Sequence, residues 1–405
     1  MARKKKNKIY FYRMLAWGFL FVSLIFFGFV LGKRVNNLPG VFKSFSLGRS
    51  ISSDTISPKE LKKALDKKDF VFINVHTPYE GEIKQTDAFI NYDLISSSLD
   101  KLPQDKNARI ILYCQSGRMS GEALIKLKNM GYTNVSHLGG GMEAWKDAGF
   151  EVMDLSSLPG QVVPEEGFEL PISWGDYISK LVRTGVIDRS KFDKIMKLTD
   201  SQKEIMEKGT TENIKIDATN SQFVVDMLWA LGLAQKSVVY DQGPMGKEYK
   251  SSVGNFASTG GWSLAKGDAL NYLNHYDFLG LTTDEQNRVA EISKNVYRPC
   301  CGNSTWFPDC NHGMAALAAI ELMVKKDLSD GEIYKNVLKL NSFWFSSHYM
   351  TVATYFARQG TSWNEVDAKE ILGQAYSSGQ TASALYKKVG PLPYESQQGG
   401  GSCGA

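Results

Sequence analysis

The sequence predicts an α/β domain with a central parallel sheet and helices on both faces, placed between one transmembrane helix and a mainly α-helical region. Three observations lead to this fold class. Short apolar runs at 70–75, 108–113 and 135–138 alternate with helical patterns, which is typical of parallel strands joined by helices. A long uncharged run at 14–32 precedes them, and a series of longer helical patterns follows residue 168.

The uncharged run at residues 14–32 is about the length that spans the hydrocarbon core of a bilayer. Basic residues are concentrated before it, and only Lys33 and Arg34 follow closely, so the charge distribution predicts a cytoplasmic N-terminus and an extracytoplasmic body. The alternative is a cleaved signal peptide, although the run exceeds a typical h-region and no small-x-small site follows it. We therefore expect a single-pass signal-anchor that holds the protein to the lipid bilayer of the cell membrane.

Changes of composition divide the chain into seven expected segments. These are a basic cytoplasmic N-terminus (1–9), the transmembrane helix (10–32), a linker (33–55), the α/β domain (56–152), a second linker (153–167), a helical region containing Cys and His (168–393) and a flexible Gly-rich tail (394–405). With 43% hydrophobic residues the chain is expected to fold. Much of its net charge of +4 lies in the first segment, which gives no basis for a nucleic-acid partner.

The helical patterns define the elements around the strands. Ser57, Pro58 and Glu60 form a capping box that predicts the first helix of the α/β domain. Two more helices are expected there, at 121–130 and 142–148. The predicted helices of the C-terminal region are 174–184, 189–198, 221–232, 267–276, 284–295, 313–326, 330–348, 349–359 and 363–376.

Cys114 is the strongest candidate for a chemically reactive residue in this sequence. It lies where a buried strand is expected to meet a helix N-terminus, whose first amides have no partner within the helix and favour an anionic sulfur. Gly117 and Gly121 allow the loop to curl around that anion, and Arg118 adds positive charge. We expect Cys114 and Arg118 to be catalytic. The remaining loop residues, Gln115, Ser116, Gly117, Met119 and Ser120, are expected to form an anion cradle.

This loop resembles that of a single-domain rhodanese. The similarity rests on residues 113–120, 131–135 and 138–145 and covers about residues 56–150. It implies a parallel central sheet and a Cys114 that accepts sulfane sulfur from a small donor as a persulfide and passes it to a thiol acceptor. Asn74 and His76 stand where the family usually has Asp and Arg, and Met119 stands where it often has Arg or Thr.

Two other functions compete for the same loop. Related folds cradle phosphate with a Cys and an Arg six positions later, but that position is Ser120 here, so phosphoryl transfer lacks its main transition-state clamp. A non-catalytic module is disfavoured because Cys114 is retained. The sequence therefore predicts a membrane-anchored extracytoplasmic sulfurtransferase.

A second set of chemically active residues lies in the C-terminal region. Cys300, Cys301, Cys310 and His312 fall within thirteen residues, and Cys403 lies in the Gly-rich tail, from which it could reach them. Three interpretations stay open: a site for Cu or Zn, a thiol relay that receives sulfur from Cys114, and a structural disulfide such as Cys301 with Cys310. The alternative overall function is a metal-binding or thiol-redox protein with an accessory rhodanese-like module.

Overall fold

The computed structural model describes residues 54–390 and residue 392. These residues belong to one unit that begins at Ser53. The predicted transmembrane helix, Cys403 and the rest of the Gly-rich tail lie outside the described residues. No helix in the described part combines the length and the apolar character needed to cross a bilayer.

Five short strands form one sheet in the N-terminal part of the described chain. Their order is β1-β5-β4-β2-β3, and all four pairings are parallel. Three helices connect and cover them. In chain order the elements are β1 (Thr55–Ile56), α1 (Pro58–Leu65), β2 (Val71–Asn74), β3 (Ala88–Phe89), β4 (Ile110–Tyr113), α2 (Arg118–Asn129), β5 (Val135–Leu138) and α3 (Gly141–Asp147).

The central strand β4 divides the apolar side chains between two cores, because successive residues of a strand point to opposite faces. Ile110 and Leu112 pack with α2 on one face. Ile111 and Tyr113 pack with α1 and α3 on the other. All four side chains are fully buried, which explains the continuous apolar run in the sequence. The predicted parallel sheet with helices on both faces is confirmed.

Helix α1 begins at the predicted capping box. The Ser57 amide donates to the Glu60 carboxylate at 2.9 Å, and the Glu60 amide donates to the Ser57 hydroxyl at 3.4 Å. Pro58 occupies the first turn, where it removes no intrahelical hydrogen bond.

The region after residue 153 is mainly helical, as predicted, and it contains one two-stranded antiparallel sheet among its described residues. In chain order its elements are α4 (Leu158–Val162), β6 (Phe168–Gly175), α5 (Tyr177–Thr184), α6 (Arg189–Ile195), α7 (Asp200–Glu207), β7 (Thr210–Ile216), α8 (Ser221–Ala234), α9 (Val238–Gln242), α10 (Pro244–Lys247), α11 (Thr283–Lys294), α12 (Asn311–Lys325), α13 (Asp330–Trp344), α14 (Ser346–Gln359), α15 (Ala368–Leu372), α16 (Gln374–Ser377) and α17 (Gly379–Val389).

Helices α8 and α12 pack against each other at the centre of this region. Both are buried on nearly all sides, as expected for helices that are apolar around their whole circumference. Gly232 permits the close approach, because a Cβ atom there would collide with the Met314 carbonyl oxygen.

Some of the predicted segments differ from the structure, among them the following three. The expected helix at 174–184 begins only at Tyr177, because the preceding residues belong to β6. The expected helix at 267–276 is reduced to a 3₁₀ turn at Ala269–Asn271, and Asn274 beyond it has a φ of 53°. The expected linker at 153–167 contains α4, whose Leu158 and Val162 are buried in the helical core.

A buried ion pair connects the sheet to the helical region. Arg358 of α14 donates from Nε and from one terminal nitrogen to the two oxygens of Glu82, both at 2.8 Å. Its other terminal nitrogen donates to the Val389 carbonyl at 2.8 Å. The Gln85 amide donates to the Arg358 carbonyl at 3.1 Å. Both charged side chains are almost completely removed from solvent.

Candidate functional site

Cys114 follows the last residue of β4 and is buried, with 1% of its surface exposed. Its sulfur accepts hydrogen bonds from the amides of Gly117 at 3.1 Å and Ser120 at 3.4 Å. The Ser120 hydroxyl lies 3.5 Å from the same sulfur. Two amides at the start of α2 therefore donate to the sulfur and the Ser120 hydroxyl faces it, an arrangement that stabilises negative charge on sulfur.

Gly117 gives the loop its curl. It precedes α2 with a φ of 93°, in the left-handed region that favours glycine. A Cβ atom at this position would also lie 3.2 Å from the Gly140 amide nitrogen. The backbone can thus turn its amides toward Cys114 only with a residue as small as glycine.

The start of α3 supports the Cys114 loop. The amides of Met142 and Glu143 donate to the carbonyls of Cys114 and Gln115 at 2.9 and 3.0 Å. Gly141 makes this contact possible, because a Cβ atom there would collide with the Cys114 carbonyl oxygen. The glycine run before α3 therefore holds the reactive loop in place.

The other predicted loop residues occupy different environments. Arg118 is exposed and donates to Glu122 at 2.7 Å, with its guanidinium 5.7 Å from the Tyr92 ring. Ser116 is exposed, and Met119 packs against the sheet core. The Gln115 side-chain oxygen is buried without a hydrogen-bond partner. The charge of Arg118 is thus directed to Glu122, and its catalytic role stays a prediction.

His137 is a site residue that the sequence interpretation missed. Its Nδ1 atom lies 3.1 Å from the Ser120 hydroxyl, which in turn faces the sulfur of Cys114. Burial lowers the pKa of His137, although Asp54 opposes the shift, so the ring is neutral near pH 7. The feature that could have identified His137 is its position on β5. Residue 137 pairs there with Leu112 of β4, the strand that leads to Cys114.

Asn74 and His76, the two departures from the family pattern, shape the neighbouring loop. Buried Asn74 accepts from the His76 amide at 3.0 Å and donates to the Gly81 carbonyl at 2.9 Å. A neutral amide therefore closes this loop. The His76 Nε2 atom lies 3.0 Å from a Glu80 oxygen, but it is out of line for a hydrogen bond.

The structure brings together three of the predicted thiols in the helical region. The sulfur of Cys310 lies 3.5 Å from that of Cys300 and 4.0 Å from that of Cys301. All three cysteines are free in the structure. Cys310 also caps α12, since its sulfur accepts from the Gly313 amide at 3.4 Å.

Arg298 is the second residue that the sequence interpretation missed. Its Nε atom donates to the Cys310 sulfur at 3.0 Å. Hydrogen bonds from Cys300 and Cys301, together with this guanidinium, hold the pKa of Cys310 well below its usual range against the effect of burial. The sequence feature that could have identified Arg298 is its position two residues before the adjacent cysteines Cys300 and Cys301.

His312 lies beside this cluster. Its ring is 4.5 Å from the Phe345 ring, and burial lowers its pKa to about 4. The ring is therefore neutral at physiological pH. Its predicted role as a ligand or relay group stays a prediction, as does that of Cys403.

Comparison with known proteins identifies the α/β part. A family model described as a rhodanese-like domain matches residues 57–148. A protein of Mycobacterium tuberculosis named "Probable adenylyltransferase/sulfurtransferase MoeZ" is 39% identical over 102 residues, which are 24% of this chain and 26% of that protein. The chain thus spans about a quarter of the MoeZ protein.

A shorter relative is matched over nearly its whole length. The sulfurtransferase of Allochromatium vinosum is 30% identical over 107 residues, which are 25% of this chain and 92% of that protein. The solved structure of a rhodanese-like domain protein from Staphylococcus aureus has 28% sequence identity and a TM-score of 0.22, covering 25% of this chain and 98% of that one. Through residues 57–148, the chain belongs to the rhodanese-like family.

Proposed function

We propose that the protein is a sulfurtransferase that carries sulfane sulfur as a persulfide on Cys114. The observation that carries this proposal is the buried sulfur faced by two amides and a hydroxyl in a rhodanese-like domain. These donors can stabilise a thiolate before transfer and a persulfide anion after it.

The chemistry requires no external oxidant. The Cys114 thiolate attacks the sulfane sulfur of the donor and forms a new S–S bond. The S–S bond of the donor breaks, and its electron pair leaves with sulfite or a thiolate. An acceptor thiolate then attacks the outer sulfur of the Cys114 persulfide, which releases the Cys114 thiolate for the next cycle.

The charge around the loop favours a low-molecular-weight persulfide over thiosulfate as the donor. Thiosulfate carries two negative charges, whereas the donors to the sulfur are neutral groups. The cationic residue of the loop, Arg118, is paired with Glu122. A persulfide carries a single negative charge at its reacting end, so less positive charge is needed in this loop to bind it.

Intact-mass analysis and cyanolysis of the full chain test the proposal. After incubation with glutathione persulfide or thiosulfate, we expect a gain of one sulfur atom and thiocyanate release, both lost in Cys114→Ser. Ser97→Ala is the control, since Ser97 lies in an exposed turn of the same domain. If neither donor gives a signal that depends on Cys114, the proposed activity is wrong.

We also propose that the uncharged run at 14–32 anchors the protein, with residues 33–405 outside the cytoplasm. The supports are the length of the run and the basic residues that precede it. A reporter fused to the C-terminus tests this topology. We expect the fused reporter to be active only outside the cytoplasm. Reporter activity confined to the cytoplasm would contradict the orientation.

A further inference from the structure

The loop that carries the second set of thiols is organised around one buried side chain. Arg298 has 1% of its surface exposed. It donates to the carbonyls of Asn303 and Phe307, both at 3.2 Å, to the Asp309 carboxylate at 2.9 Å and to the Cys310 sulfur at 3.0 Å. The loop therefore holds its shape through a guanidinium that contacts it at four points.

The three thiols have the spacing of ligands to one ion. The sulfur atoms of Cys300, Cys301 and Cys310 all lie within 4.8 Å of one another. Thiolates bound at about 2.3 Å in a trigonal plane lie about 4.0 Å apart. The separations of 3.5 and 4.0 Å from Cys310 are close to that value.

We propose that Cys300, Cys301 and Cys310 bind one Cu(I) ion in a three-coordinate thiolate site. Soft thiolate ligands select Cu(I) and Zn(II), but structural zinc sites are almost always four-coordinate. Among the described residues, the ligand group consists of these three thiols and includes neither His312 nor Asp309. Three-coordination therefore favours Cu(I).

The surroundings match the charge of such a site. Three thiolates around Cu(I) carry a net charge of minus two, after release of three protons from the thiols. The Arg298 guanidinium and the Gly313 amide at the start of α12 both donate to Cys310. They offset the negative charge and orient the ligand. Exposed Cys300 gives an ion access from solvent.

A competition titration of the full reduced chain tests the site. Cu(I) is added anaerobically in the presence of a chromophoric Cu(I) chelator, and we expect one ion per chain. X-ray absorption is expected to show three sulfur neighbours at about 2.3 Å. Cys300→Ser and Cys310→Ser should each lower the affinity at least about 100-fold, since each removes a direct ligand.

Two thiol variants outside the cluster are the controls. Cys114→Ser and Cys403→Ser should keep the Cu(I) affinity, so failure of this site and failure of sulfur transfer are distinguishable. Exposed Cys300 keeps the test valid if Cys310→Ser does not fold. Retention of Cu(I) by Cys300→Ser, binding of Zn(II) without Cu(I), or loss of Cu(I) in Cys403→Ser would each overturn the three-coordinate Cu(I) assignment.

Discussion

At the scale of single residues, the Ser120 hydroxyl has one proton and several neighbours. Its oxygen lies 3.1 Å from the Gly117 carbonyl, 3.1 Å from His137 Nδ1 and 3.5 Å from the Cys114 sulfur. If neutral His137 carries its proton on Nδ1, it donates to Ser120. The hydroxyl donates to the Gly117 carbonyl in the structure, and rotation of its proton toward an anionic sulfur exchanges that hydrogen bond for one to Cys114.

Removal of this hydroxyl should make Cys114 less reactive. A hydrogen bond to a charged group contributes about 1.5–3 kcal/mol, so Ser120→Ala should slow alkylation of Cys114 by iodoacetamide at pH 7 by about tenfold or more. His137→Leu should have a smaller effect in the same direction. Ser97→Ala is the control, and equal rates in all variants would show that the hydroxyl does not act on the sulfur.

The sequence was sufficient to identify Cys114 and the loop that contains Gly117, because strand, cysteine and helix are consecutive. It could not identify the contact of Ser120 with His137. That contact depends on the register of β5 against β4, which is a tertiary property. Arg298 was missed for a similar reason, since its burial requires the fold of the whole loop.

At the scale of elements, α12 carries a carboxyl group into the helical core. Glu321 is fully buried. Burial raises the pKa of Glu321 to about 8. Ser237 lies nearby and opposes this shift, but neither carboxyl oxygen has a hydrogen-bond partner of good geometry. The folded protein therefore keeps this side chain protonated at neutral pH.

This carboxyl should make the protein less stable as the pH rises. Between the ordinary pKa of 4.5 and about 8, the unfolded chain binds fewer protons than the folded one, so the free energy of unfolding falls. The loss is at most about 1.4 kcal/mol per pH unit. Glu321→Gln should therefore be more stable than the parent at pH 8 and similar to it at pH 5, as measured by urea denaturation.

The control for this measurement is Glu165→Gln, at an exposed carboxyl. It should leave the pH dependence unchanged. An identical pH dependence in the parent and Glu321→Gln would mean that Glu321 is ionised in the folded state.

Helices with strong caps and apolar periodicity were predictable, whereas interrupted elements were not. Strand β6 has buried Leu170, Ile172 and Trp174 in strict alternation, but Pro171 within it weakens the strand pattern. The predicted helix at 363–376 is broken where Asp367 caps a new helix and Gly373 ends it. These breaks depend on local side-chain hydrogen bonds, which the spacing of apolar residues along the sequence does not reveal.

At the scale of the whole described molecule, the pair Glu82 and Arg358 joins residues that are 276 positions apart. No local pattern predicts such a contact. Glu82 precedes Ile83, whose amide donates to the Tyr113 hydroxyl at 3.1 Å. The strand that leads to Cys114 is thereby connected to α14 through a short series of hydrogen bonds.

Loss of one partner of this pair should destabilise the fold strongly. Arg358→Met leaves the Glu82 carboxylate buried without its cation, a change that typically costs about 3–5 kcal/mol. The double variant Glu82→Leu with Arg358→Met should recover part of that loss, because no buried charge is left. Urea denaturation measures both variants.

An exposed pair gives the comparison. Arg189→Met breaks the contact with Asp193 at the surface and should cost less than about 1 kcal/mol. If Arg358→Met costs no more than Arg189→Met, the buried pair does not hold the two parts together.

The ion pair also limits how the chain can be divided. The Allochromatium relative shows that a rhodanese-like sequence can stand nearly alone, but Glu82 here has no exposed surface and its cation comes from α14. A fragment cut after residue 152 would uncover a carboxylate and the apolar surface around it. We therefore expect the rhodanese-like domain to lose its native fold when it is produced without the helices that follow it, because α14 supplies the cation for buried Glu82.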